Sequence, residues 1–142
     1  MPFSVRLEGD FYWASFTGVV TNADLLAMAE TAAELEARHE VVPHRLADLG
    51  TVDEWKIDSE GVKALARERA RRRFPNEFKT AIVAPSALHY GYARMFQTLM
   101  GHSQIHVAIF PSTEAALQWL SLPGLELPET PWAPPSNNPS SP

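Results

Sequence analysis

Three residues have the types that a serine hydrolase uses: Ser86 as a nucleophile, His89 as a base and Asp48 as the group that orients the base. An α/β hydrolase presents its serine on a strained Gly-x-Ser-x-Gly turn, whereas Ser86 lies within Ala-Pro-Ser-Ala-Leu. No segment is recognisable as an oxyanion hole. We therefore expect Ser86 to cap a helix, His89 to lie exposed in the first turn of that helix, and the protein not to be an enzyme.

These residues belong to a larger polar group near the predicted carboxyl ends of neighbouring strands. Open parallel sheets bind their ligands at this edge. The residue types specify neither a substrate nor a reaction, but they predict a binding surface. Its members are Asp48, Asp58, Ser59, Ser86, His89 and Tyr90.

Metal binding and thiol chemistry are not expected. The chain has 5 histidines and no cysteine, and no two histidines follow the HExxH pattern or a similar two-ligand spacing. We predict no metal site and no cofactor. The lack of cysteine also excludes disulfides and fits a reducing compartment, for which the cytoplasm is the default.

The second predicted helix is rich in basic residues. Arg67 and Arg71 are four positions apart and therefore share one helix face, which we define as the basic patch. Two interpretations are open: a solvated charged face, or a dock for an acidic partner or an anionic lipid head group. Nucleic acid is not an expected partner, because the formal net charge is -5. The basic residues of this helix are Lys63, Arg67, Arg69, Arg71, Arg72 and Arg73.

Length and composition indicate one globular domain. The chain has 142 residues, of which 45% are hydrophobic and 20% charged, and a chain of this size can bury a core without disulfides. The first residues lack the basic and apolar regions of a secretion signal, and no apolar run approaches the length of a membrane span. We expect a cytoplasmic protein that is not integral to a membrane.

The hydrophobic periodicity predicts strands and helices in the order ββαβαβαβα. This order predicts an α/β fold, in which a mixed, mostly parallel sheet of about five strands is flanked by helices. Thr21 and Asp24 form a predicted capping box, and residues 51 to 56 are predicted to be a polar loop. The predicted elements are strands over 3 to 7 and 11 to 16, a helix over 22 to 38, a strand over 44 to 49, a helix from Asp58 or Ser59 to about residue 75, a strand over 79 to 84, a helix over 86 to 100, a strand over 105 to 110 and a short last helix.

The chain divides into a predicted domain, residues 1 to 122, and a proline-rich tail, residues 123 to 142. Leu125, Leu127 and Trp132 can lay the first half of the tail along the domain or a partner. The end from about Pro134 is predicted to be loose.

The helix predicted over residues 86 to 100 has a broad apolar stripe, most of which we assign to the core. The stripe exceeds what one helix face can bury, so a homodimer through this helix is a further prediction. Gly91 lies inside the helix, where glycine is unfavourable, and we expect another backbone to pack against it. The stripe consists of Leu88, Tyr92, Met95, Phe96, Leu99 and Met100.

Three parts of the chain resemble the SpoIIAA-like branch of the STAS family. They are the aromatic hairpin with Gly18 before the first helix, the strand end Asp48-Leu49, and AIVAPSALHYGYARMF, residues 81 to 96, with the last strand and helix behind it. The resemblance covers about residues 3 to 122. It implies a SpoIIAA-like (STAS) fold and a regulatory or protein-interaction domain without catalysis. The family is related in fold to the CRAL-TRIO lipid-binding domains.

In STAS anti-anti-sigma factors, a serine at the start of a helix is phosphorylated by a partner kinase. The segment Asp58-Ser59-Glu60-Gly61 resembles that motif, with Glu60 in place of a small residue, so the resemblance implies Ser59 as the phosphoacceptor. From the residues alone, Asp58 or Ser59 can cap this helix, and Ser59 is interpreted as a helix cap without modification.

Two functions remain open at this point. One is a regulatory or protein-interaction domain whose partner is a kinase or another regulator. The alternative is a carrier of a lipid or a small apolar molecule, which requires a continuous apolar cavity on the order of several hundred Å³.

Overall fold

The computed structural model describes residues 2–128 and 132–133. The main sheet has five strands in the order β1-β2-β4-β6-β7, and β3 pairs separately with β5. The elements in these residues are β1 (Phe3–Glu8), β2 (Phe11–Phe16), β3 (Gly18–Thr21), α1 (Asn22–Glu36), β4 (Arg45–Asp48), β5 (Val52–Lys56), α2 (Ser59–Ala70), β6 (Phe78–Val83), α3 (Ala87–Leu99), β7 (Ile105–Phe110) and α4 (Thr113–Ser121).

The main sheet is mixed and mostly parallel. β1 and β2 form an antiparallel hairpin, and β2, β4, β6 and β7 run parallel to one another. The hairpin reverses at Gly9, whose φ of +60° lies in the left-handed region that glycine adopts without a Cβ clash. The predicted α/β fold with about five strands is confirmed.

The small parallel sheet of β3 and β5 was not predicted, and the polar loop predicted over residues 51 to 56 is wrong. Asp53 and Glu54 are exposed and Trp55 is half-buried, so β5 does not show the regular alternation of a half-buried strand. Its hydrogen-bond partners come from β3, which lies far away in the sequence. Local periodicity therefore gives little indication of this pairing.

Side-chain caps begin the helices. Thr21 and Asp24 form the predicted reciprocal capping box at α1. Asp58, rather than Ser59, caps α2, and its carboxylate accepts the backbone N–H of Gly61 at 2.9 Å. Of the two predicted caps, Asp58 is confirmed, and the interpretation of Ser59 as a cap is wrong. Ser59 occupies the first helical position instead.

Two helices end earlier than predicted. α1 ends at Glu36 rather than at residue 38, and α2 ends at Ala70 rather than near residue 75. Ser86 caps α3 as predicted.

The main sheet is packed on both faces. One face carries α1, α2 and α3 over the larger core cluster, which includes Ala47 and Ile82. The opposite face carries α4, where Leu46 and Ala81 belong to a smaller cluster. Successive residues of one strand thus enter different cores, because side chains alternate across a sheet.

α3 lies shallowly on the domain. Ala93 is the buried residue of this helix, while Leu88 is 60% exposed and Leu99 is 45% exposed. The prediction of a backbone packed against Gly91 is wrong, since this residue is exposed and a Cβ added there would have no heavy atom within 4 Å. Most of the predicted stripe is half-buried or exposed, so core packing explains it only in part.

Candidate functional site

Ser86 and His89 form a local pair at the start of α3. The Ser86 Oγ lies 2.5 Å from His89 Nδ1 and also accepts the His89 backbone N–H at 3.4 Å. The His89 ring packs edge-to-face on Trp55, with ring centroids 5.9 Å apart. His89 is half-buried, so its predicted exposure is wrong, and burial lowers the pKa of His89 from its ordinary value. The neutral imidazole joins α3 to β5.

Asp48 lies at the end of β4 and contacts its own loop. Its Oδ1 accepts the backbone N–H of Gly50 at 2.8 Å, which closes a turn after the strand. In the part of the chain that the structure describes, no carboxylate hydrogen-bonds to His89. A Cβ added at Gly50 would lie 3.7 Å from Pro85 Cγ, so this turn adjoins the connection between β6 and α3. The three residues thus lie at one edge without forming a triad.

Asp58 and Ser59 lie where the starts of α1 and α2 meet. Asn22 Nδ2 donates to Asp58 Oδ1 at 3.1 Å, and Asn22 Oδ1 accepts the Asp58 backbone N–H at 3.2 Å. Gly61 makes room for this amide, because a Cβ there would lie 1.8 Å from Asn22 Oδ1. Hydrogen bonds from Gly61 and Asn22 lower the pKa of Asp58, so its carboxylate is ionised at neutral pH. Ser59 is exposed beside this anchored cap.

The start of α2 is linked to α3. The Tyr92 hydroxyl donates to the backbone oxygen of Ile57 at 3.2 Å, two residues before Ser59. Together with the Trp55 to His89 packing, this contact places the two helix starts next to each other. We define the strand-end surface as the predicted group Asp48, Asp58, Ser59, Ser86, His89 and Tyr90.

Tyr90 is covered by a residue of the tail. The rings of Tyr90 and Trp132 stack with centroids 4.4 Å apart, and the Trp132 indole N–H donates to the backbone oxygen of Ala84 at 2.8 Å. Trp132 is half-buried and packs on the larger core cluster. The sequence predicted that Leu125, Leu127 and Trp132 can lie along the domain or a partner, but it did not indicate Tyr90 or Ala84 as the contacts of Trp132. The end predicted to be loose, from about Pro134, lies outside the described residues.

Comparison with solved structures identifies the fold. An uncharacterized protein of the DUF3478 family from Shewanella loihica PV-4, with a SpoIIAA-like fold, is 16% identical and has a TM-score of 0.53 over 83% of this chain and 91% of its own. An anti-sigma factor antagonist from Mycobacterium paratuberculosis is 17% identical, with a TM-score of 0.54 over 83% of this chain and 92% of its own. This chain has a SpoIIAA-like fold. No family model and no curated protein matches it.

The SpoIIAA-like fold confirms the resemblance found in the sequence. At these identities the likeness concerns the fold alone. The roles of individual side chains in this SpoIIAA-like domain must therefore be argued from their own contacts.

The basic patch is partly neutralised. Arg71 donates to both oxygens of Glu68, at 2.8 and 2.9 Å, and Arg72 donates to the same carboxylate at 2.6 Å. Arg67 is exposed, but Arg69 points inward and is 3% exposed. The interpretation of these arginines as one solvated face is wrong for Arg69, because its partner Glu36 lies on α1.

Glu36, Arg45 and Arg69 form a buried ionic cluster that the sequence did not indicate. Arg69 donates to both Glu36 oxygens, at 2.8 and 2.7 Å, and Arg45 donates to Glu36 Oε2. Each of the three residues is less than 5% exposed. Their separation in the sequence conceals the cluster, since α1, β4 and α2 each contribute one member.

An apolar cavity of about 90 Å³ lies between the main sheet and α1, α2 and α3. It follows β4 from Arg45 past Ala47 to Leu49, and Trp55 and His89 contribute to its wall. This volume is well below that of the cavity expected for a lipid carrier, so the carrier alternative gains no support.

No group of three or more His, Cys, Asp or Glu side chains within residues 2–128 and 132–133 is arranged to hold a metal ion. None of the helices described above is long and apolar enough to cross a membrane.

Proposed function

We propose that this protein is a non-enzymatic, STAS-type regulatory domain that binds a protein partner through the strand-end surface. The observation that carries the proposal is the junction of β4, β5, α2 and α3 at one edge of the SpoIIAA-like sheet. Gly50 adjoins Pro85, Trp55 packs on His89, and Tyr92 hydrogen-bonds to Ile57. These contacts hold several connections in a fixed arrangement, as recognition by a partner requires. The solved anti-sigma factor antagonist with this fold supports a regulatory role.

Mapping the contact region tests this proposal. The partner is purified with the tagged full chain from the native cells, and hydrogen exchange is then compared between the free and bound chain. We expect slower exchange in residues 48 to 61 and 84 to 92 on binding. Protection confined to β1, or to α4 on the other face of the sheet, would reject the strand-end surface as the binding site.

We propose a kinase as a further partner, with Ser59 as the residue that it phosphorylates. This serine is exposed at the first position of α2, next to the ionised Asp58 and to Glu60. A phosphate there would place about two further negative charges beside these carboxylates. Repulsion would weaken the Asn22 to Asp58 contact and change the charge of the strand-end surface. Phosphorylation would thus act on partner binding as a switch.

Phosphate transfer from ATP in a cell extract tests the switch. The substrates are the wild type, Ser59→Ala and, as a matched serine control, Ser121→Ala on α4. Incorporation by the wild type and the control, but not by Ser59→Ala, supports the switch. Equal incorporation by all three proteins, or by none, would reject Ser59 as the phosphoacceptor.

A homodimer through α3 is a second proposed interaction. Leu88, Met95 and Leu99 lie on one helix face, since residues spaced by 7 and 11 positions recur on the same side of an α-helix. Leu88 and Leu99 are among the exposed large apolar residues. Sedimentation equilibrium tests this interaction: we expect Leu88→Glu with Leu99→Glu to dissociate a wild-type dimer, and a monomeric wild type would contradict it.

The proposed organisation is a domain over residues 1 to 122 with a tail over residues 123 to 142. The proposed location is the cytoplasm, which the lack of cysteine supports. Truncation tests the boundary. A chain of residues 1 to 122 that unfolds cooperatively, at lower stability because the Trp132 contacts are lost, supports it, and a chain of residues 1 to 122 that does not fold would contradict it.

A further inference from the structure

The described tail residues contact the domain at separate places. Near α4, the Trp119 indole N–H donates to the backbone oxygen of Glu126 at 2.8 Å. Trp132, six positions further along the chain, instead contacts Tyr90 and Ala84 beside α3. The contact of Trp132 can therefore break while the start of the tail stays attached to α4.

The two tryptophans in these contacts differ in burial. Trp119 is 3% exposed and belongs to the smaller core cluster, where Lys79 Nζ lies 4.8 Å from the centroid of its ring. Trp132 is half-buried and packs against the larger cluster without being one of its buried members. Removal of Trp119 from its place would open a core, whereas removal of Trp132 would uncover a surface. Trp132 is thus the contact that can detach from the folded domain.

The surface beneath Trp132 offers two features that together favour an indole. One is the face of the Tyr90 ring, on which Trp132 stacks with an angle of 23° between the ring planes. The other is the backbone oxygen of Ala84, to which no other donor in the described part of the chain hydrogen-bonds. Tryptophan supplies both a large aromatic surface and an N–H donor. We define the Tyr90 ring face and the Ala84 oxygen as the indole site.

We propose that the indole site binds a tryptophan of the protein partner, and that Trp132 occupies the site while the partner is absent. This inference rests on the proposed function, because Tyr90 belongs to the strand-end surface. Trp132 is tethered close to the site, so it competes at a high effective concentration. The apparent affinity for the partner falls in proportion to the fraction of molecules in which the site is open. The tail is therefore a built-in competitor of the partner.

A peptide with the sequence of residues 128 to 136, which includes Trp132, is the probe of the indole site. It is titrated into the ¹⁵N-labelled wild type and into full-length Trp132→Ala, and the backbone signals of residues 84 to 92 are followed by NMR. We expect saturable shifts in Trp132→Ala and at least about five-fold weaker binding to the wild type, because its own Trp132 competes. The same peptide with Trp132→Ala should cause no saturable shift.

Circular dichroism monitors the folding of the variant chains. Where Trp132→Ala does not fold, Trp132→Phe takes its place, since it keeps a ring on Tyr90 but loses the donor to Ala84 and should bind the peptide more tightly than the wild type does. No saturable shift in the folded variant at millimolar peptide, equal affinity of variant and wild type, or equal binding of the alanine peptide would overturn the proposal. A wild-type dimer that Trp132→Ala dissociates would assign the site to a second copy of this chain, which would also overturn it.

Elution of the partner tests whether the partner uses the same site. The partner is captured on tagged Trp132→Ala and then exposed to each peptide. Release by the tryptophan peptide but not by the alanine peptide supports the proposal, and a partner that stays bound in both cases would overturn it. Recovery of no partner by either the wild type or the variant would contradict the proposed function, whereas the peptide titration decides separately whether the indole site binds tryptophan.

Discussion

Trp132 lies against Tyr90 with ring centroids 4.4 Å apart, and its indole N–H donates to the backbone oxygen of Ala84 at 2.8 Å. A residue from the proline-rich tail therefore covers the end of β6 and the first turn of α3. Tyr90 belongs to the strand-end surface, so a partner that needs its ring must displace Trp132. The tail and the proposed binding surface are physically connected.

Removing the Trp132 side chain should destabilise the protein. Trp132→Ala loses an aromatic pair and a hydrogen bond, each of which contributes about 0.5–1.5 kcal/mol, so the free energy of unfolding should fall by about 1–3 kcal/mol. Trp132→Phe keeps a ring on Tyr90 and should lose only the hydrogen-bond contribution. Urea unfolding measures both. An unchanged midpoint and slope for Trp132→Ala would show that the contact does not form in solution.

Two glycine substitutions in helices should have opposite effects. Gly61→Ala places a Cβ where Asn22 Oδ1 lies and should lower the free energy of unfolding by about 1–3 kcal/mol, because the Asn22 to Asp58 hydrogen bonds must break. Gly91→Ala meets open space in an exposed helix and should raise it by about 0.5–1 kcal/mol. Thermal and urea unfolding give the sign. Stabilisation by Gly61→Ala would contradict the close approach of Asn22.

The stability of the protein should depend strongly on Glu36, the single carboxylate of the buried ionic cluster. Glu36→Gln leaves two buried guanidinium groups without a counter-charge and should cost about 3–5 kcal/mol of unfolding free energy. Glu34→Gln is the matched control, since Glu34 is exposed on the same helix and should change stability by less than about 0.5 kcal/mol. A similar loss in both variants would contradict the buried cluster.

Stability should decrease as the pH falls through the range in which histidine titrates. Burial lowers the pKa values of His44 and His89 below 6.5, with the charge of Lys79 as a second cause at His44. The neutral forms are favoured in the folded state, so their contribution is fully present above pH 6.5 and is lost as the pH falls towards the folded pKa values. Urea unfolding between about pH 7.5 and pH 5 measures the slope of the unfolding free energy against pH.

His89→Gln should reduce the pH dependence, and His102→Gln on the surface serves as the control for removing one histidine. A slope that is identical in the wild type and His89→Gln would show that His89 does not titrate differently in the folded protein.

Much of the fold could be predicted from local patterns in the sequence. Thr21 with Asp24, and Ser86 before an apolar periodic segment, determine two helix starts within a few residues of sequence. The strands of the main sheet show as continuous or alternating apolar runs. These signals act over short distances, so a single sequence displays them.

The features that the sequence did not predict depend on contacts between residues that are far apart in the chain. In the sequence, Arg69 cannot be distinguished from the exposed basic residues beside it. It is buried because it pairs with Glu36, which lies 33 residues earlier in the chain. β5 forms because β3 pairs with it. Trp132 is anchored by Ala84, 48 residues earlier. The sequence shows the residue types for these contacts, but not the three-dimensional proximity that creates them.

Binding of a protein partner through the strand-end surface is tested most directly by quantitative affinity purification from native-cell lysate. The tagged wild type is compared with Ser59→Arg plus Ala87→Arg, which places one charge on the strand-end surface and one on the exposed residue between its members Ser86 and His89. The control, Gln118→Arg plus Ser121→Arg, adds the same charges to exposed positions of α4 on the other face of the sheet. We predict a protein that is enriched by the wild type and the control and is reduced at least ten-fold with the surface variant. Equal recovery with all three proteins, or loss with the α4 control alone, would contradict binding at the strand-end surface.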